Sequence, residues 1–119
     1  MKQCRSCSRQ LPLSAFGVRD GGKPRHQCKA CVTDKHYKRT YGISLKDYDK
    51  MFEEQGGVCK ICNLPGKHKL HDRLCVDHDH ITGKVRGLLC DSCNRGIGYL
   101  KDDERILQQA IEYLRSAAR

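Results

Sequence analysis

The sequence predicts a small α+β fold that bound zinc, rather than a large apolar core, holds together. Eight of the nine cysteines form four Cys-x-x-Cys pairs, and two such pairs supply the four thiolates of one tetrahedral zinc site. Only 38% of the 119 residues are hydrophobic, with no Trp and two Phe, which is too little to fill one large core. Zinc binding at structural sites is coupled to folding and contributes on the order of 10 kcal/mol per site. We therefore expect two structural zinc ions.

Pairing the cysteines in chain order predicts which residues share a zinc ion. The first site has 20 residues between its two pairs and the second has 27, and both lengths suit a hairpin. An interleaved pairing also fits the spacing, because 27 residues separate Cys31 from Cys59. The predicted ligands are Cys4, Cys7, Cys28 and Cys31 for the first zinc, and Cys59, Cys62, Cys90 and Cys93 for the second.

The start of the chain carries no recognisable targeting signal. No hydrophobic signal-peptide core follows Met1, and no run approaches the roughly 18 apolar residues of a membrane span. We therefore expect a cytoplasmic protein. In that reducing compartment zinc is favoured over the alternatives, which are disulfide bonds or one redox-active pair.

The net charge predicts a polyanionic partner. The chain has 23 Lys and Arg against 14 Asp and Glu, a formal charge of +9. A charge of this sign and size favours salt-sensitive binding to nucleic acid, with DNA as the first candidate. The alternative is a soluble basic surface without a specific ligand.

Two domains are predicted. Residues 1–40 form an N-terminal Cys4 zinc ribbon, with a turn at Gly21–Pro24 and a basic helix after Cys31 that interleaves Tyr37 among cations. Residues 41–119 contain the second Cys4 site and a C-terminal helix. The helix after Cys31 presents candidate DNA contacts, although a solvated face is the alternative. These contacts are Lys35, Lys38 and Arg39.

Helix signals flank the second zinc site. Ser44 and Asp47 have the spacing of a capping box, and Gly56-Gly57 ends the helix that follows them. Either Asp102 or Asp103 can cap the last helix, whose apolar stripe we expect to pack on the zinc core. The stripe consists of Ile106, Leu107, Ala110, Ile111 and Leu114.

The segment between Cys62 and Cys75 predicts a mobile basic loop. It contains a Pro-Gly turn, scattered charges, His68 and His71. The two histidines can assist chemistry or contact DNA, or they can have no special role. Cys75 itself is the unpaired cysteine, either a small buried hydrophobe or a thiolate near a metal.

A β-hairpin is predicted from Leu74 to Leu89, with its turn at Ile81–Lys84. Strict alternation puts Asp77 and Asp79 on one face and His78 on the other, unless a bulge redirects one of them. A short helix should follow Cys90, with Asn94 facing the hairpin.

These side chains together suit phosphodiester hydrolysis. That reaction needs a metal to neutralise charge on the phosphate and a base to activate water. Asp77 offers a carboxylate oxygen and Asn94 a carbonyl oxygen, ligands that suit Mg²⁺ or Mn²⁺ better than zinc. His78 is an imidazole, which can take a proton from water near neutral pH.

The combined motif resembles the recombination endonuclease VII family, which consists of HNH-type nucleases with a ββα-metal (His-Me finger) fold. The resemblance extends from about Tyr41 to Leu100. It is carried by Cys59-x-x-Cys62, Val76-Asp77-His78-Asp79-His80, Thr82-Gly83-Lys84-Val85-Arg86-Gly87-Leu88-Leu89-Cys90 and Cys93-Asn94.

The resemblance implies a role for each residue of the motif. Asp77 and Asn94 would bind the catalytic Mg²⁺ or Mn²⁺, and His78 would be the general base. His80 would steady the phosphate or a water ligand of the metal. Asp79 is expected to form structural hydrogen bonds. The candidate DNA contacts in this region are Lys84, Arg86 and Arg95. The alternative is that they are ordinary surface cations.

The chain also departs from the family pattern. The junction-resolving phage member has an acidic metal-site residue three positions after the asparagine, where this chain has Ile97. That member also has a long dimerising tail, and this chain has an N-terminal ribbon instead, so we expect a monomer or weak dimer that nicks DNA. The resemblance also implies a phage or prophage origin. The alternatives are a zinc-knuckle module that binds nucleic acid without hydrolysis, and a zinc-stabilised protein-interaction domain.

Overall fold

A computed structural model describes residues 1–66 and 73–118, and the chain in it divides into two units, Met1–Lys50 and Met51–Arg119. The predicted loop histidines His68 and His71 lie outside the described residues. The predicted domain boundary at residue 40 stays a prediction. Among the described residues, no helix has both the length and the apolar character needed to cross a membrane.

The N-terminal unit consists of two small antiparallel hairpins followed by a helix. The second hairpin turns through a 3₁₀ segment, Asp20–Gly22, in which Gly21 has a φ of 83° that favours glycine. The helix starts after Cys28 and ends at Gly42, whose φ is 73°. The elements are β1 (Lys2–Gln3), β2 (Gln10–Leu11), β3 (Phe16–Val18), β4 (Pro24–Cys28) and α1 (Lys29–Tyr41).

A very small core holds this unit together. Cys4, Phe16 and Cys28 are buried, and a few partly buried side chains pack against them. On α1, the ring of Tyr37 stacks on that of Tyr48 at 5.3 Å, so Tyr37 covers apolar surface. Because so few side chains are buried, the cysteine cluster must contribute much of the stability.

Helix α2 (Leu45–Glu54) begins and ends as predicted. The backbone N–H of Asp47 donates to the Ser44 hydroxyl at 3.0 Å, and the backbone N–H of Ser44 donates to the Asp47 carboxylate at 2.9 Å. This reciprocal pair is the predicted capping box. Gly56 and Gly57 then take φ values of 68° and 72°, which end the helix.

The C-terminal unit contains the predicted hairpin. Strands β5 (Cys75–His78) and β6 (Val85–Leu89) pair antiparallel, and helices α3 (Asp91–Tyr99) and α4 (Glu104–Ala118) follow. Gln55 joins the region before the zinc knuckle to β6, because its side chain donates to Leu88 O at 3.0 Å and accepts from Leu88 N at 3.0 Å. Since α3 lies against β5, the hairpin and helix form a ββα unit, and the predicted fold class is confirmed.

Asp79 organises the turn between the two strands. Its carboxylate accepts hydrogen bonds from the backbone N–H groups of Ile81 at 2.8 Å and Thr82 at 2.9 Å. These bonds lower the pKa of the Asp79 carboxyl group. The structural hydrogen-bonding role expected for Asp79 is therefore observed.

Helix α4 starts at a defined cap but packs over only part of its length. The Asp103 carboxylate accepts from Arg105 N at 2.8 Å, so Asp103 rather than Asp102 caps the helix. Ile106, Leu107 and Ala110 are half-buried, whereas Ile111 is 42% exposed and Leu114 is 65% exposed. The prediction that the whole stripe packs on the zinc core is therefore wrong, because its last two residues are exposed.

Candidate active site

The eight paired cysteines form two clusters, each of which could hold a metal ion. Within each cluster the four sulfur atoms lie within 4.8 Å of one another. The Cys4 and Cys31 sulfurs are 3.8 Å apart, and those of Cys62 and Cys90 are 3.7 Å apart. Tetrahedral zinc with bonds of about 2.3 Å requires sulfurs about 3.8 Å apart. The donor set fits zinc, and the chain-order grouping is confirmed.

Backbone N–H groups point at the Cys4 and Cys59 sulfurs and favour their thiolates, whereas burial raises the pKa of the Cys31 and Cys93 thiols to about 12. Cys7 N and Cys28 N approach the Cys4 sulfur at 3.5 and 3.3 Å, and these bonds lower the pKa of the Cys4 thiol to about 6. At Cys59, burial acts in the opposite direction, but the backbone N–H bonds outweigh it and the pKa is again about 6. None of the nine cysteines forms a disulfide bond.

Cys75 belongs to neither four-cysteine cluster. It is the first residue of β5 and is half-buried. Burial, together with the negative charge of Asp91, raises the pKa of its thiol. A protonated thiol on a strand behaves as a small apolar side chain, so the structural interpretation is favoured.

The central site is built by a register shift in the hairpin. Asp77 pairs with Gly87 and His78 with Val85, so Arg86 is the extra residue on β6. A bulge locally breaks the two-residue alternation of faces in the strand that contains the extra residue, which here is β6 and not the strand with Asp77 and His78. Asp77 is buried, with 7% of its surface exposed. His78 is half-buried, and its ring centroid lies 5.1 Å from that of His80.

Asn94 lies on α3, the helix that contacts β5. The sulfur of Cys90, the cap residue of α3, accepts from Cys93 N at 3.4 Å. The second four-cysteine cluster therefore includes Cys90, which lies between β6 and α3, and Cys93, which lies in α3. Through these elements one four-cysteine cluster anchors both the strand with Asp77 and His78 and the helix with Asn94.

Arg86 bridges two carboxylates. Its Nε donates to Asp77 Oδ2 at 2.7 Å and its Nη2 to Asp77 Oδ1 at 3.0 Å. The same guanidinium donates to both oxygens of Asp102 at 2.9 Å. These bonds raise the pKa of Arg86 and lower that of Asp102.

Asp102 reaches Arg86 from an unusual backbone conformation. Lys101 and Asp102 have φ values of 64° and 54°, in the left-handed region. The Asp102 N–H donates to Ile97 O at 2.8 Å, which fixes this turn after α3. The sequence indicated Asp102 only as a possible helix cap. No local pattern links residue 102 to residue 86, so this partner was missed.

An open cleft of about 590 Å³ lies beside this ion-pair network. His80 and Arg86 line one part of it, and Lys101, Asp102 and Glu104 line another. Ile97, three positions after Asn94, also lines the cleft, and its side chain there is apolar.

The predicted DNA contacts differ in their surroundings. Lys38 pairs with Asp34 at 2.9 Å, and Arg95 pairs with Asp91 at 3.2 Å. Lys35, Arg39 and Lys84 are exposed. Their role in binding DNA stays a prediction, as does that of Arg86.

Comparison with known proteins gives consistent matches. A family model described as recombination endonuclease VII matches residues 34–116, which include every predicted active-site residue. The Gene 59 protein of Mycobacterium phage D29 is 43% identical across 96% of this chain and 73% of its own length. That of Mycobacterium phage L5 is 40% identical across 95% of this chain and 73% of its own length.

Similarity to solved structures includes a restriction endonuclease. The beta-beta-alpha-Me type II restriction endonuclease Hpy99I is 31% identical, with a TM-score of 0.47 over 96% of this chain. The chain spans 64% of the length of that enzyme.

Proposed function

The chain belongs to the recombination endonuclease VII family, and from that premise we propose that it is an HNH-type DNA endonuclease that uses a divalent metal ion. Family membership supports a nuclease; the metal, the general base and the nicking of one strand are our proposal. The observation that carries it is the ββα unit, in which Asp77, His78 and Asn94 lie on elements anchored by one four-cysteine cluster.

Asp77 and Asn94 are the proposed ligands of Mg²⁺ or Mn²⁺. Each Asp77 oxygen accepts one hydrogen bond from Arg86, and a carboxylate oxygen has about two acceptor sites, so each retains capacity for a cation. Mg²⁺ commonly takes one or two protein ligands and completes its coordination with water and phosphate. When bound, the cation neutralises charge on the scissile phosphate.

His78 is the proposed general base that takes a proton from the attacking water. It follows Asp77 directly on β5, opposite the bulge in β6. His80, whose ring is 5.1 Å from that of His78 and lines the cleft, steadies the phosphate.

Arg86 compensates the buried charge of Asp77. Because each of the two carboxylates accepts two hydrogen bonds from the guanidinium, Asp102 can retain Arg86 when Asp77 binds a cation. Arg86 is therefore a positioning residue for the metal ligand. This role fits its contacts better than a free phosphate contact does.

A monomer with one active site cuts one strand per encounter, so nicked DNA is the expected product; a double-strand break would require two encounters or a transient dimer. The similar Gene 59 proteins come from phages. We accordingly expect the protein to act on DNA in the cytoplasm of a host cell.

Metal dependence tests this proposal. Zinc-loaded protein, dialysed free of other metals, is mixed with supercoiled plasmid and Mg²⁺, Mn²⁺ or no added ion. We expect nicking only with added ion, and expect Asp77→Asn and Asn94→Ala to nick at least about tenfold more slowly at limiting metal. The matched control is Asp91→Asn, an exposed carboxylate in α3, which should retain the wild-type rate. DNA binding without cleavage under every condition would instead favour the zinc-knuckle binding module.

A further inference from the structure

The positive charge of the chain is concentrated in its first fifty residues. Residues 1–50 contain 12 Lys and Arg, four Asp and no Glu, a net charge of +8. Residues 51–119 contain 11 Lys and Arg against 10 Asp and Glu, a net charge of +1. The unit with the proposed active site is thus nearly neutral, so its charge gives little attraction for a polyanion.

A pocket of about 290 Å³ lies within the basic unit. It is formed by the first zinc knuckle, the β3–β4 hairpin and the start of α1. We name it the arginine pocket because three arginines line it. Its lining residues are Arg5, Arg19, Arg25, His26, Gln27 and Val32.

Local contacts fix the walls of the arginine pocket. The backbone N–H of Arg5 donates to His26 O at 2.9 Å, and the Gln27 side chain donates to the Ser6 hydroxyl at 2.7 Å. Both bonds join the knuckle to β4. A Cβ on Gly17 would lie 3.2 Å from Cδ of Arg25, so the absence of a side chain there leaves room for Arg25 to cross the hairpin.

The three guanidinium groups have no carboxylate partner in the part of the chain that the structure describes. Within the described ranges 1–66 and 73–118, no carboxylate forms an ion pair with Arg5, Arg19 or Arg25. By contrast, Arg86 is held by two carboxylates. Three like charges around one cavity repel one another, and an anion in the cavity removes that repulsion.

Helix α1 extends the positive surface away from the arginine pocket. Val32 lines the pocket, and Lys35 and Arg39 follow it at three and seven positions, which puts them on the same face of the helix. From Val32 to Arg39 the helix rises about 10 Å. A row of cations of this length fits a polymer with regularly spaced phosphates better than a single small anion.

We propose that the arginine pocket is a DNA-backbone site that holds a phosphate of the duplex, with Lys35 and Arg39 following the same strand. Arginine matches phosphate geometry because its guanidinium can donate two parallel hydrogen bonds. Contacts to phosphates carry no sequence information, so this site supplies affinity and orientation. The inference rests on the proposed function in taking duplex DNA as the ligand.

Binding is tested separately from cleavage. The affinity of a fluorescent duplex of about 20 base pairs is measured by anisotropy in the His78→Ala background, at several salt concentrations and without added divalent ion. The test variant is Arg5→Gln/Arg19→Gln/Arg25→Gln. The matched control removes three exposed cations outside the pocket, Lys46→Gln/Lys50→Gln/Arg115→Gln.

We expect the pocket variant to raise Kd by roughly tenfold or more and to reduce the salt slope by about one, since each lost phosphate contact removes about 0.9. The control should leave both Kd and the salt slope close to their wild-type values. Equal weakening by both variants would overturn the proposal, because net charge alone would then explain the affinity.

Two further measurements keep the result interpretable. Zinc content shows whether the triple variant is folded, and Arg19→Glu, an exposed change in the hairpin turn, should weaken binding even if the triple variant does not fold. Full affinity in folded Arg19→Glu would count against the pocket.

Plasmid nicking by the wild-type chain is run in parallel. If it fails while binding still depends on the arginines, the nuclease proposal is overturned and the pocket is supported.

Discussion

Arg86 shares its guanidinium between a buried carboxylate and a second one at the edge of the cleft. A buried carboxylate is unfavourable unless it is paired and hydrogen-bonded. Asp77 meets that requirement through Arg86, and a bound cation would meet it as well. The negative charge of Asp77 can therefore be compensated either by Arg86, without a metal, or by a bound cation.

Arg86→Gln is predicted to destabilise the metal-free protein and to make its stability depend on divalent ions. Loss of the guanidinium leaves the Asp77 carboxylate without its charged donor, which costs on the order of 1–3 kcal/mol. Added Mg²⁺ or Mn²⁺ should restore part of that loss by taking over the counter-charge. Thermal unfolding with and without the ion measures both effects.

The control for this prediction is Arg95→Gln. Arg95 and Asp91 form an ion pair in which both side chains are 65% exposed, and such surface pairs contribute about 0–1 kcal/mol. Arg95→Gln should therefore change the unfolding temperature little, with or without the ion. If Arg86→Gln behaves like Arg95→Gln, Asp77 does not need the counter-charge and the proposed metal site loses its support.

At the scale of the elements, the second four-cysteine cluster joins the Cys59–Cys62 knuckle to the β5–β6 hairpin and to α3. Cys90 follows β6 directly and caps α3, so one residue belongs to the cluster and to the helix start. Hydrogen bonds from Lys60 N and Gln55 to the backbone of Leu88 connect the knuckle region to β6 as well.

Cys90→Ser is predicted to reduce bound zinc from two ions per chain to one and to unfold most of the C-terminal unit. The reason is that structural zinc is coupled to folding. Metal analysis and amide hydrogen exchange measure the two effects. Cys75→Ser is the matched control, because Cys75 lies in neither cluster and both zinc ions should remain. An unchanged zinc content in Cys90→Ser would contradict the assigned ligand set.

Most elements were predictable because their signals are local. The capping box at Ser44 and Asp47, the glycines after α2 and the turn at Asp79 depend on residues within a few positions of one another. The cysteine grouping was predictable in the same way, although only the structure excluded the interleaved pairing.

The register shift at Asp77 and the extra residue Arg86 were not predictable, because an alternating pattern does not reveal where a strand gains a residue. The contact from Arg86 to Asp102 spans 16 residues and depends on that shift. The exposed second half of α4 was missed for a related reason: periodicity shows a stripe but not what covers it.

In the whole molecule, charge and chemistry are divided between the two units. The N-terminal unit has a net charge of +8, and the C-terminal unit contains the proposed active site with a net charge of +1. This division explains why composition alone indicated a nucleic-acid partner without indicating where it binds. It also predicts that binding and cleavage can be impaired separately by substitutions in different units.

The rate of plasmid nicking under single-turnover conditions, compared between wild-type protein and His78→Ala, tests the central claim most directly. A general base typically contributes about 10²- to 10⁴-fold, so we predict a loss of that size in His78→Ala, with zinc content and DNA affinity unchanged. With DNA binding saturated, His36→Ala, an exposed histidine on the proposed DNA-binding face of α1, serves as the control and should retain the wild-type rate. Nicking by His78→Ala at the wild-type rate would contradict the account.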